Sequence, residues 1–253
     1  MPPEARVVAI VQARMGSHRL PGKVLADIAG QPMLARVVAR VKGARTLDEV
    51  VVATSQASED DPIAELCREQ GVPCSRGSAE DVLDRFHQAA VEHRADIIVR
   101  ITGDCPLIDS ELIDETVGAF QSATPPVDFA CNRLSWDRTY PIGTDTEVCS
   151  RKALDEAWRE ADQPHQREHV MPYLYEHPER FRMIQVRSSD PSLGGLRWTV
   201  DEADDLAFVR QVYARLGGRE DFSWREVLDL VRREPELARI NAAVVHKGHR
   251  DVG

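Results

Sequence analysis

Short apolar runs alternate with longer amphipathic stretches along the first half of the chain. Val7-Val8-Ala9-Ile10-Val11, Val50-Val51-Val52-Ala53-Thr54 and Ile97-Ile98-Val99-Arg100-Ile101 are β-branched and nearly free of charge. That is the pattern of strands covered on both faces. A shorter extended piece is expected at Val72-Pro73-Cys74. Between the runs, Leu34, Val37, Val38 and Val41 keep helical spacing in a stretch reaching about Lys42. Ser58 with Asp61, and Ser78 with Asp81, read as capping boxes that open helices reaching about Gln70 and His93, and Asp109 reads as the cap of a helix over 110–120. Strand, helix, strand, helix with short links predicts βαβ units and a mostly parallel sheet. From Pro125 to about Glu147 the pattern changes. Aromatic and polar residues alternate over 128–132 and 140–148, which predicts antiparallel or edge strands. Ser150 caps a helix to about Asp162, a short helix is expected over 166–175, strands over 181–187 and 198–201, and helices over about 203–216, 223–233 and 235–244. The polar tail after Val245 is expected to fray.

The sharpest change of character comes at Gln12. Arg14, Gly16, Ser17, His18, Arg19, Pro21, Gly22 and Lys23 follow a buried strand directly. Glycine lets backbone N–H groups approach an oxyanion, and Arg and Lys supply charge. The C-terminal edge of a strand is where open α/β sheets bind ligands, so the stretch reads as an anion-holding loop; a solvated basic loop is the plain alternative. It matches neither GxxxxGK[ST] nor GxGxxG. Two acids sit comparably: Asp104 follows Gly103 after the 97–101 strand, and Asp201 follows a short apolar strand before a helix. A turn or cap role is the alternative for each. Asp109 is better placed to cap, which frees Asp104, whereas Asp201 with Asp204 makes an acceptable capping box and Asp204 and Asp205 suit a helix start. Val82, Phe86, Ala89 and Ala90 read as a core helix face, with Asp81 and Arg85 on the surface.

Composition narrows the function. The chain has 253 residues and a net charge of −10, which argues against nucleic acid or an anionic membrane as the main partner but not against a small anionic ligand at a locally basic loop. No apolar run approaches the length of a membrane span, and the opening MPPEAR lacks a signal-peptide plan. Five scattered cysteines, none in CxxC spacing, disfavour a zinc site or disulfide framework and suit a reducing cytoplasm. No Ser-His-Asp or Cys-His arrangement stands out, and Cys105 reads as incidental to Asp104.

QARMGSHRLPGK resembles the N-terminal signature of the cytidylyltransferases that make CMP-activated acidic sugars, roughly (P/Q)AR-x-x-S-x-R-L-P-x-K. The likeness is nearest to the spore-coat polysaccharide biosynthesis protein F type, with CMP-Kdo synthetases and acylneuraminate cytidylyltransferases more distant. ITGDCPLI looks like the family's GD-x-P-L-I stretch, TVDEADDL like its V-D-x-x-x-D-L signature, and RGSAEDVLDRF like a segment that surrounds the nucleotide. The likeness spans residues 6–215. It implies an α/β, Rossmann-like nucleotide-diphospho-sugar transferase fold: a mostly parallel central sheet flanked by helices, with a small antiparallel excursion. One domain would cover 1–253, and about 125–175 would form an excursion for the acceptor and for a homodimer.

The resemblance further implies Mg²⁺-dependent transfer of CMP from CTP to the hydroxyl of an acidic sugar or related acceptor, with pyrophosphate released. Arg14, Arg19 and Lys23 would hold the triphosphate with Ser17 and the Gly16 backbone, His18 being equally well an exposed loop residue. Arg14, Lys23 and Asp104 would be catalytic, and Asp104 and Asp201 would bind Mg²⁺. The backbone of Gln12 and Ala13 would read cytosine, with Arg76, Ser78, Asp81 and Arg85 around the nucleotide. On the acceptor side, Asp145 and Glu147 resemble an Asp-x-Glu stretch and would share a strand face. Thr144 and Thr146 depart from the Leu and Val frequent there. Arg167, Glu168 and His169 resemble an R-E-H-V segment, of which Arg167 and His169 would touch the acceptor; a buried Arg167–Glu168 pair is the plain alternative. Asn132 and Arg133 are further candidates. CTP and a small acidic acceptor are thus the expected partners, with no nucleic acid and no membrane. The rivals are a nucleotidyltransferase of the same fold using another NTP, which often carries a G-x-G-T-R loop, a catalytically silent nucleotide-binding protein, and a glycosyltransferase, whose D-x-D is replaced here by Asp145-Thr146-Glu147.

Overall fold

The computed structural model describes residues 5–134 and 136–245; the MPPEAR segment up to Glu4 and the tail from His246 lie outside them. Seven strands form the main sheet: β1 (Val7–Gln12), β2 (Glu49–Ser55), β3 (Cys74–Gly77), β4 (Ile97–Thr102), β5 (Phe129–Cys131), β6 (Glu147–Ser150) and β7 (Met183–Gln185). Their order across the sheet is β7-β5-β6-β4-β1-β2-β3. Only β6 runs against the rest, antiparallel to β4 and β5, so the sheet is mostly parallel. The helices are α1 (Met33–Val41), α2 (Asp61–Glu69), α3 (Val82–Glu92), α4 (Ser110–Ser122), α5 (Arg151–Glu160), α6 (Pro164–His169), α7 (Pro172–Glu176), α8 (Ala203–Arg215), α9 (Trp224–Arg233) and α10 (Pro235–Arg239).

The apolar runs are continuous because both faces are covered. On β1, Val7, Ala9 and Val11 enter one core with α1, α4, α8 and α9, while Val8 and Ile10 enter the other with α3, α5 and α7. A strand residue alternates faces, so a two-sided core needs apolar side chains at every position. Arg100 breaks the run on β4. It lies on the α3 side, directly opposite Glu147 of β6.

The first four strands lie in the order β3-β2-β1-β4, which reverses direction between β1 and β4. That reversal leaves a crevice beyond the carboxyl ends of the two strands. Gly103 lets the ends meet: its N–H donates to the Gln12 carbonyl at 2.8 Å, and a Cβ there would stand 2.7 Å from the same oxygen.

Several boundaries differ from expectation for local reasons. Ser58 does not cap α2, which starts without a side-chain cap after a single 3-10 turn. Ser78 takes the Asp81 N–H at 3.0 Å, and Asp81 is the true cap of α3. Helix α8 is capped by Glu202 and Asp205, not by Asp201 and Asp204. Residues 198–201 form no ladder strand. Trp198 N donates to Ile142 O, and Val200 N to Asp104 O, with one isolated bridge between Ile142 and Arg197. Asp145 lies before β6, so it and Glu147 do not share the face of one strand.

Candidate functional site

The loop after β1 forms one wall of a cleft of ≈ 530 Å³ at the crevice. The Met15 carbonyl accepts from the N–H groups of Ser17 at 2.8 Å and Gly22 at 3.0 Å. Gly22 adopts a left-handed conformation (φ 70) and leads into a single 3-10 turn, Lys23–Leu25, which turns Lys23 inward. The loop's base is fixed by Asp60, 1% exposed. Its carboxylate accepts from Met15 N at 2.7 Å and from the Ser55 N–H and hydroxyl. Sequence reasoning placed Asp60 inside a capping run; the structure makes it a buried tie between β2 and the loop.

Lys23 donates to Asp104 Oδ2 at 2.8 Å, Val200 O at 2.7 Å and Asp201 Oδ1 at 2.9 Å. Burial lowers its pKa, but the carboxylates of Asp104 and Asp201 outweigh this and raise it above the ordinary lysine value. Asp201 meets two more cations on its other oxygen: Arg19 at 3.1 Å and Arg197 at 2.7 Å. Burial raises the Asp201 carboxyl, yet Lys23, Arg197 and Arg19 together hold it well below the usual range. Arg197 also grips Asp205, with both distances 2.9 Å, and Asn241 pins Asp205 from behind at 2.9 Å. No sequence signal marked Arg197 or Asn241.

The sign of the resulting pH dependence follows from Asp201 and Asp205, both of which titrate below their ordinary values in the folded state. Their stabilisation is complete above the unfolded pKa of about 3.9 and is lost as pH falls through the folded values. Urea titrations at a series of pH values should therefore show unfolding free energy dropping below about pH 4, and more gently in Asp205→Asn. Parallel acid limbs in the two proteins would remove this cluster as their cause.

The opposite wall comes from α3, β4, the 132–147 region and α6. Arg85 is 2% exposed, contrary to the surface position expected for it. Burial, reinforced by nearby Arg14, lowers its pKa to about 10. One Nη donates to Ser78 O at 2.5 Å, while the buried Nε has no hydrogen-bond partner among the described residues. Arg100 donates to the Gln12 side chain at 3.0 Å and pairs with Glu147, itself 2% exposed. Arg133 lies 3.7 Å from Glu147 and 3.8 Å from Asp145; burial lowers its pKa, but the two carboxylates outweigh that and raise it. Arg138 forks onto Asp145, with the longer contact at 3.0 Å. Arg14 reaches Glu168 at 3.5 Å.

Of the sequence-derived candidates, Gln12, Ala13, Arg14, Ser17, His18, Arg19, Lys23, Arg85, Asp104, Arg133, Asp145, His169 and Asp201 line the cleft. Gly16, Arg76, Ser78, Asp81, Glu147 and Arg167 stand off its lining. Arg76 ties β3 to the end of β2 through Ser55 O at 2.8 Å and Ala57 O at 2.9 Å. Arg167 donates to Asp81 and to Trp158 O at 2.7 Å, fixing α6 against the start of α3. Asn132 is fully buried and clamps Thr144 O and Thr146 N at 2.6 and 2.8 Å. Arg100, Arg138 and Glu168 line the cleft without having been chosen. Of these, Arg100 carried a signal, a lone charge inside an apolar run, and Glu168 stood in the R-E-H-V segment, while Arg138 carried none.

A serine, a histidine and an acid do come together away from the cleft: Ser75 Oγ lies 3.2 Å from His93 Nε2, and His93 Nδ1 lies 3.1 Å from Glu49. Ser75 is 5% exposed and its hydroxyl donates to Glu92. The group ties β2 and β3 to the end of α3 and presents no accessible nucleophile.

Asp104 and Asp201 converge on one cationic point, filled by the Lys23 ammonium. Among the described residues, no cluster of three acidic, His or Cys side chains is arranged for a metal. Two hard carboxylates in a cleft rich in Arg and Lys nevertheless suit Mg²⁺, which takes one or two carboxylates and completes its shell with phosphate oxygens and water. No described helix is long and apolar enough to cross a membrane.

Comparison with known proteins places these features in a family. A cytidylyltransferase family model matches residues 8–205. Spore coat polysaccharide biosynthesis protein SpsF of Bacillus subtilis is 32% identical over 238 residues, 92% of this chain and 96% of that protein. The 3-deoxy-manno-octulosonate cytidylyltransferase of Anaeromyxobacter sp. is 43% identical over 118 residues, covering 46% of this chain and 47% of that enzyme. The solved structure of a cytidylyltransferase from Leptospira borgpetersenii superposes with a TM-score of 0.89 at 31% identity, over 96% of this chain and 100% of that one.

Proposed function

The chain belongs to the cytidylyltransferase family and is a nucleotidyltransferase, and we propose that it transfers CMP from CTP to a hydroxyl of a small acidic acceptor, an acidic sugar or a relative of one, releasing pyrophosphate. The observation that carries this reading is the placement of Arg14, Arg19 and Lys23 on one loop at the β1 end, in a single cleft with Asp104 and Asp201, which Lys23 and Arg19 touch directly. A nucleoside triphosphate brings about four negative charges, which calls for several cations and backbone donors. Its phosphates lie along this loop, and the base lies against the Gln12–Ala13 backbone and Arg85. The acceptor occupies the half walled by Arg133, Arg138, Asp145 and His169, where three arginines counting Arg100 are paired with two carboxylates, Asp145 and Glu147, and the remaining positive charge favours an anion. The acceptor hydroxyl gives up its proton to solvent and its oxygen bonds to the α-phosphorus as the bond to pyrophosphate breaks in line. Arg14, Arg19 and Lys23 spread the charge that develops, and holding both partners in one cleft supplies much of the rate. Mg²⁺, held by Asp104 and Asp201, supplies further positive charge to the phosphate oxygens when bound.

The same reading makes residues 1–253 one nucleotidyltransferase domain, with about 125–175 serving the acceptor and a homodimer contact. It also places the protein in the cytoplasm, which suits its five free cysteines. Arg133, Arg138, Asp145, Glu168 and His169 of the acceptor wall all come from that excursion, while the triphosphate loop and both aspartates do not.

A thermal-shift series with CTP, UTP, GTP, ATP and dTTP, with and without Mg²⁺, tests the donor without needing the acceptor. At about a hundred times its Kd, a ligand stabilises the native state by roughly 2.7 kcal/mol, a rise of several degrees at this size. CTP is expected to give the largest rise, and Mg²⁺ to increase it. A larger rise with another nucleotide would move the activity to a different donor.

A further inference from the structure

We propose that the Lys23 ammonium is a built-in stand-in for the metal: in the free protein it fills the cation position between Asp104 and Asp201, and it leaves only when a triphosphate draws it away. Binding is then ordered, with the nucleotide first and the divalent cation with it or after it. The inference rests on the assignment of Asp104 and Asp201 as the metal-binding pair and adds how that pair is kept neutral until substrate arrives.

The ammonium has three N–H donors, and all three are satisfied, at 2.7, 2.8 and 2.9 Å. The side chain is 10% exposed, and the left-handed Gly22 and the short 3-10 turn fix its direction. A divalent ion sharing these two carboxylates must sit close to where Nζ now sits, and two cations at one point repel strongly in a partly buried site. Lys23 therefore has to move, and an ammonium drawn from its carboxylates without a new anion would be an unpaired, partly buried charge. The triphosphate is that anion. Arg19 reinforces the arrangement from outside, bound at 3.1 Å to Asp201 and 3.2 Å to Glu202, and it too faces the cleft. Arg197 has a different part. Its grip on Asp205, backed by Asn241, keeps it against Asp201 whether or not Lys23 moves, so the carboxylate stays aimed while its cation is exchanged. With only two acidic side chains converging among the described residues, the Lys23 ammonium is displaced by a metal alone at little gain.

Mn²⁺ provides a readout independent of turnover, because the free ion's electron paramagnetic resonance signal disappears on binding. Full-length wild type without nucleotide is expected to leave Mn²⁺ free. Adding CTP without acceptor should create a ternary complex that captures more Mn²⁺ than CTP does in the absence of protein. Lys23→Met, and Lys23→Gln as a second variant, should bind Mn²⁺ without nucleotide about tenfold or more tightly than wild type, with folding checked by circular dichroism. Wild type alone binding Mn²⁺ as tightly as it does with CTP would overturn the ordering, even if neither variant folds. Equal affinities of folded Lys23→Met and wild type would overturn the stand-in role. A ternary complex that fails to form, or survives intact in Asp104→Asn and Asp201→Asn, would instead defeat the metal assignment on which the inference stands.

Discussion

Asp104→Asn is expected to lower turnover by about 10²–10³-fold, the scale of losing one group that stabilises transition-state charge, while leaving the fold intact. The asymmetry between the two aspartates is the reason. The Asp104 side chain meets Lys23 and, weakly at 3.6 Å, the Cys105 thiol. After the substitution Lys23 keeps its bonds to Asp201 and Val200 O, and the amide occupies nearly the same volume. Asp201 has a second task, since Lys23, Arg19 and Arg197 all converge on it. Asp201→Asn is accordingly expected to lose both turnover and melting temperature. Pyrophosphate release with an accepted acidic acceptor, alongside thermal unfolding, separates the two effects. Normal turnover by Asp104→Asn would remove Asp104 from the reacting charge; a large drop in its melting temperature would make it a structural counter-ion to Lys23.

Much of this architecture was legible because its physics leaves a local trace. A strand buried on both faces must be apolar throughout, so β1, β2 and β4 stood out, and an abrupt basic loop after β1 marked the ligand edge. The helix starts were read less well because a polar side chain can serve any of several nearby donors. Ser58 does not cap α2, where Asp60 answers Met15 on another element, and Ser78 answers Asp81, which itself caps α3, so the expected caps failed although the helices were present. The wall proposed for the acceptor was least legible. Arg138 has no sequence pattern of its own, and Glu168, although part of the R-E-H-V segment, was expected beside Arg167; their positions in the cleft depend on pairings with Asp145 and Arg14 that only the folded excursion creates. Arg76 and Arg167 show the converse. The motifs that drew attention to them are real, but their guanidinium groups are spent on Ser55 O, Ala57 O, Trp158 O and Asp81, close behind the cleft wall.

Glu147 is where a binding role and a structural role predict opposite measurements. It is 2% exposed, pairs with Arg100 across the sheet and lies 3.7 Å from Arg133. Breaking a buried pair by removing one partner leaves an uncompensated charge and costs about 3–5 kcal/mol. At about 2–4 °C per kcal/mol for a chain of this size, Glu147→Leu should melt roughly 6–20 °C below wild type. The Arg100→Met/Glu147→Leu double variant removes both charges together and should regain most of that loss, since apolar replacement of a whole buried pair is often neutral or better. Arg133 then keeps Asp145 at 3.8 Å. Yet the double variant also takes from Gln12 the guanidinium that holds its side chain at 3.0 Å, so restored stability should come with weaker CTP binding. A Glu147→Leu protein that melts like wild type but shows a raised KM for the acceptor would make Glu147 a contact of the acceptor instead of the counter-ion beneath the cleft floor.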